Sequence, residues 1–178
     1  MRALLVGLIA LSGLSGARAD VNNGRFSSKV WGVELVAPRY WQLSERTSYP
    51  NILLWMSRRA PDGKLLLTAE RLSKPTNAIG YARATRTVLR SMGFKVRAPQ
   101  FHAATGAYWA DFDDGSSYLR QAYLIRGELG LTLTLSAPSQ RLRNQHLRVF
   151  DATLRSIRFT DREKVGDGEE DSKEDSGK

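Results

Sequence analysis

The chain has 178 residues, no cysteine, and 27 Lys and Arg against 18 Asp and Glu, a formal net charge of +9. That length fits one domain of about 100–200 residues, and the lack of cysteine excludes disulfides, thiol nucleophiles, iron–sulfur clusters and cysteine-bearing zinc sites together. Arginine far outnumbers lysine between residues 20 and 160, and its planar fork matches carboxylate and phosphate partners better than a point-charge ammonium does.

Residues 1–19 read as a secretory signal: Arg2 gives a positive start, residues 3–14 are apolar with small interruptions, and Ala17-Arg18-Ala19 is a small-x-small cleavage site. The apolar run is shorter than the ~20 residues of a membrane span. The expected mature chain starts at Asp20, has no cysteine there for lipid attachment, and is periplasmic or secreted. Residues 20–28 are polar and Gly/Asn-bearing, so they read as a leader, with the domain at 29–160.

Residues 30–36 are β-rich up to Pro38. The apolar runs 52–56 and 65–69 flank Ala60-Pro61-Asp62-Gly63, a hairpin signal in which Pro presets one turn position and Gly supplies positive φ at another. Pro75-Thr76-Asn77 then opens a helix running to Met92, with Tyr81, Ala82, Val88 and Leu89 at three- and four-residue steps and Gly93 as its stop. Its other side carries Arg83, Arg86 and Arg90, a stripe of positive charge.

Residues 95–101 and 107–112 read as strands, Asp113-Asp114-Gly115-Ser116 as a turn, and 117–125 as the returning strand. Arg126-Gly127-Glu128 turns into 129–135, where leucines and threonines alternate, predicting an antiparallel meander with one apolar face and one hydroxyl-bearing, half-exposed face. Ser139 caps a last helix to Ser156, apolar through Leu142, Leu147, Phe150 and Leu154, with Arg141, Arg148 and Arg155 on another side. Ile157 and Phe159 form a packed end or brief strand. Residues 161–178 hold 4 basic and 8 acidic residues, or −4, against +11 for 20–160. So few apolar residues predict a disordered acidic tail, one that competes with acidic partners for the basic domain.

No catalytic residue, cofactor or metal emerges. His102 and His146 lack ligand spacing, the Asp111, Asp113 and Asp114 group fails the calcium-loop pattern because Gly115 falls one position early, and neither a nucleophile elbow nor a Gly-rich phosphate loop occurs. Trp31, Trp41, Trp55 and Trp109 belong to the core of a sheet protein or, alternatively, line a ligand pocket.

Three pieces resemble the PsbP-like family, whose α/β/α sandwich is shared by the photosystem II extrinsic protein P and a Ran-binding nuclear import factor. They are VELVAPRYWQL with Pro38 and Trp41, GAYWADFDDGSSYLRQAYLI, and the closing FDATLRSIRF. The resemblance implies an α+β fold, with a central antiparallel sheet flanked by helices on both faces, and binding rather than catalysis. The expected function is a non-enzymatic exported accessory module that docks on an envelope protein assembly or anionic surface through Arg83, Arg86 and Arg90, with Arg141, Arg148 and Arg155 second; no nucleic-acid partner is expected. The alternatives are a small-ligand or lipid carrier using the four tryptophans, and more remotely a hydrolase-type enzyme built on the three aspartates with His102.

Overall fold

The structure, a computed structural model, describes residues 20–22, 24–44, 52–57 and 63–160. The expected signal and acidic tail lie outside the described residues. In chain order the elements are β1 (Asp20–Asn22), β2 (Arg25–Ser28), β3 (Val33–Val36), β4 (Gln42–Ser44), β5 (Ile52–Ser57), β6 (Lys64–Arg71), α1 (Ala78–Ser91), β7 (Lys95–Val96), β8 (Gln100–His102), β9 (Ala107–Asp113), β10 (Tyr118–Arg126), β11 (Leu129–Ala137), α2 (Gln140–Ser156) and β12 (Arg158–Phe159).

The larger sheet runs β4-β5-β6-β11-β10-β9-β7, with β8 also on β9, and every pairing is antiparallel. A smaller sheet runs β1-β2-β3-β12. Local chemistry sets the boundaries. The Asn77 side chain accepts the Gly80 N–H at 2.9 Å to start α1, and Gly93 takes φ +90 just past its end. Ser139 accepts the Leu142 N–H at 3.3 Å to start α2.

Alternation along the strands builds three layers. On one face, Leu65, Leu67 and Ala69 of β6 and Leu129, Leu131, Leu133 and Leu135 of β11 pack with Phe150 and Leu154 of α2 and with Phe26, Val33 and Leu35 of the smaller sheet. On the other, Ala110, Phe112 and Tyr123 pack under Tyr81, Ala82 and Leu89 of α1. This is the expected α+β arrangement, an antiparallel sheet between helices. Each fully buried Leu contributes about 1.5–3 kcal/mol relative to exposure.

Four expectations change. Residues 20–28 are no leader, because β1 and β2 form a hairpin and Phe26, opposite Leu35, is completely buried. The strand expected at 30–36 starts only at Val33, since 29–32 is a turn closed by the Gly32 N–H on the Lys29 carbonyl. The run 95–101 is split into β7 and β8, with a one-residue change of register against β9 across 97–99, where Pro99 has no N–H for the ladder. Thr132 and Thr134 are buried, not half-exposed.

Thr132 is covered from α1: the Tyr81 hydroxyl lies 3.1 Å from Thr132 Oγ1 and donates to the Glu70 carboxylate. Gly130 makes this approach possible, since a Cβ there would meet Tyr81 Cζ at 3.1 Å. Tyr81 stands edge-to-face on Tyr123 with ring centroids 5.6 Å apart. Burial pushes both phenols well above their ordinary value of 10, with Glu70 adding to the effect at Tyr81 and Tyr81 at Tyr123.

Two outcomes follow. Phe26→Ala lowers unfolding free energy by about 3–5 kcal/mol in denaturant titration, whereas a leader would give no change. The folded state keeps both tyrosines protonated while the unfolded chain ionises them near pH 10, so stability is intact below that pH and falls above it by about 1.4 kcal/mol per pH unit for each group. Tyr123→Phe makes that alkaline loss shallower in a pH series of urea unfolding curves.

Candidate functional site

Because α1 and α2 cover opposite faces of the sheet, their arginines form two surfaces that look away from each other. Arg83 and Arg90 are exposed on α1. Arg86, expected with them, is half-buried, and its Nε is enclosed without a hydrogen-bond partner among the described residues. Val88 and Met92 are 45% and 47% exposed, and at 100° per residue they fall on the flank of α1 opposite the arginines. Arg141, Arg148 and Arg155 are all exposed on α2.

Trp31, Trp41 and Trp109 are used in packing. Trp41 is buried edge-to-face against His146, with centroids 5.5 Å apart. Trp31 and Trp109 pack on the main core cluster, and the Arg120 guanidinium lies 3.8 Å over the Trp109 ring. The Trp55 side chain is outside the described residues.

The residues of the hydrolase alternative do not meet. His102 pairs with Ala107 at the start of β9 and its Nδ1 lies 2.9 Å from Thr105 Oγ1, while Asp113 ends the same strand, about 20 Å away at 3.3 Å per residue. The Asp114 carboxylate accepts the Ser116 and Ser117 N–H groups, which makes it a turn residue. Among the described residues no three His, Asp or Glu side chains gather as metal ligands.

Asp111 is the centre of a cluster that sequence reasoning missed. Its carboxylate receives Arg120 Nε at 2.8 Å and Nη2 at 3.0 Å, a two-pronged bond across the β9–β10 ladder, and Arg143 Nη1 of α2 approaches at 3.2 Å. All three side chains are at most 13% exposed. Burial lowers the pKa of Arg143, Asp111 raises it, and Arg120 and Arg97 lower it again. A concavity of about 270 Å³ opens beside the cluster, lined by Lys95, Arg97, Asp111, Asp113, Gln140 and Arg143 among others. The available signal was that Arg143 occupies the same helical stripe as Leu147, Phe150 and Leu154, where an apolar residue is expected.

Asp111→Ala leaves two guanidinium groups without their shared carboxylate, so it destabilises by about 3–5 kcal/mol in chemical denaturation. A change below about 1 kcal/mol would show that the cluster contributes little.

No family model and no curated protein matches this sequence. Solved structures do. The solution structure of cyanobacterial PsbP (CyanoP) from Synechocystis sp. superimposes with a TM-score of 0.55 at 16% identity, covering 81% of this chain and 98% of that one. The crystal structure of the Saccharomyces cerevisiae Ran-binding protein Mog1p gives a TM-score of 0.59 at 9% identity, covering 80% and 97%. At such identities the likeness is one of architecture, and with helices on both faces of an antiparallel sheet this chain has the PsbP-like fold.

Proposed function

We propose that this protein is a non-enzymatic, exported accessory module that docks on an envelope protein assembly through the outer side of α1, with Arg83 and Arg90 as its principal contacts. The observation that carries the reading is the composition of that side: two exposed arginines on one flank and exposed Val88 and Met92 on the other. Arginine and methionine are enriched at protein interfaces, and apolar side chains left in water on the opposite flank of the same helix favour a protein broad enough to span both over a purely anionic surface. The fold is compatible with such a role, since the yeast structure that shares it is named as a Ran-binding protein. Arg86 contributes through packing more than contact, and Arg141, Arg148 and Arg155 offer a second surface on the opposite face.

The test is affinity capture from the cell envelope with the secreted form starting at Asp20. Arg83→Glu with Arg90→Glu reduces recovery of the partner by about tenfold or more, because charge reversal at an interface rim slows association and adds repulsion. Its melting temperature stays within about 2 °C of the parent, as expected for exposed positions. Unchanged recovery would contradict the proposal, and binding to anionic vesicles alone would replace the protein partner with a lipid surface.

A further inference from the structure

We propose that the concavity between β7, β9 and the first turn of α2 is a binding site for carboxylate side chains of an acidic peptide segment. Its charge balance favours an anion. Lys95, Arg97 and Arg143 line it beside Asp111 and Asp113; Asp111 is already shared between Arg120 and Arg143, and Asp113 stands opposite Lys95 in the ladder. Arg97 is left as an exposed cation at the mouth.

Arg143 itself is incompletely compensated. It is only 7% exposed, yet its Nε and Nη2 turn to the amide oxygen of adjacent Asn144, at 3.3 and 3.0 Å, and a single nitrogen reaches Asp111. A guanidinium carries five N–H donors, so capacity remains for an incoming oxyanion. The lowering of its pKa by burial and by Arg120 and Arg97 agrees with this deficit.

The helix end adds to the same potential. The first turn of α2 contains no acidic residue, although the positive end of a helix dipole favours carboxylates there, and it carries Arg141 and Arg143 instead. A volume of about 270 Å³ holds one or two side chains, not a folded element. A peptide is a fitting source because the chain itself supplies Glu169-Glu170-Asp171 within residues 161–178. Arg126, which bonds the Thr160 carbonyl, and Tyr118, which lines the concavity, are the two ends of β10, about 26 Å apart. Glu169 to Asp171 stand nine to eleven residues beyond Thr160, a reach of about 30–40 Å, so the chain's own acidic segment can arrive there.

The experiment measures calorimetric affinity of the chain from Asp20 to Lys178 for a hexaglutamate peptide, with amide chemical shifts to place it. Lys95→Ser with Arg97→Ser, both exposed and outside the Asp111 ion cluster, weakens binding about tenfold, and the parent's shifts centre on 95–97 and 140–144. A control of equal charge change at exposed positions that neither proposal uses, Arg71→Ser with Lys74→Ser, weakens it less than about twofold. Equal losses in the two pairs, or no binding by the parent and by the tail variant that follows, would overturn the site. Neutralising Glu169, Glu170 and Asp171 as Gln, Gln and Asn identifies the source: several-fold tighter hexaglutamate binding marks the chain's own segment as the occupant, and unchanged affinity marks a separate chain. Partner capture through Arg83 and Arg90 does not enter any of these readouts, so the two proposals fail separately.

Discussion

Burial of β11 on both faces is the constraint from which the layers follow. Its neighbours β6 and β10 satisfy the backbone on either side, and its leucines turn one way while Gly130, Thr132 and Thr134 turn the other. The leucine face needs apolar cover, which α2 and the smaller sheet provide. The threonine face needs partners for its hydroxyls, and Tyr81 of α1 reaches one of them. A strand that must be covered twice places the two helices back to back across the sheet. Neither helix can then present its charged side toward the other.

That separation gives the molecule two unlike basic surfaces. On α1, exposed arginines on one flank face away from exposed apolar side chains on the other, while the α2 side is arginine over a buried ionic cluster. The two differ in kind. Exposed arginines on α1 cost nothing to keep apart from partners, whereas Arg143 remains buried only because Asp111 compensates it. The first arrangement suits a broad, reversible protein contact and the second suits a localised anion.

Local signals made most elements legible. Asn77 and Ser139 as caps, Gly93 and Gly127 with positive φ, and the Leu/Thr alternation from 129 each act within a few residues, so the helices and the meander could be read in order. Phe26 could not, because it sits in a polar stretch and becomes core only by pairing with Leu35, which in turn meets the sheet. Asp111 read only as one of three neighbouring carboxylates at a strand end, with Asp113 and Asp114, and Arg143 was hidden by its own charge on an apolar stripe; what joins them is a contact across 32 positions. Nor does anything in the sequence mark Tyr40, held 89% exposed at φ 66 between Pro38 and buried Trp41. The arginine stripes were visible as spacing, but which members face water depended on helix rotation, and Arg86 proved half-buried.

The most direct measurement is chemical cross-linking of the protein in whole cells that express it, with mass spectrometry mapping the linked positions on both partners. Reproducible links from one envelope protein to side chains introduced or present along α1, near Arg83 and Arg90, are the result expected of a docking module. Links confined to other surfaces, or no protein partner in an abundant and folded sample, would contradict that function.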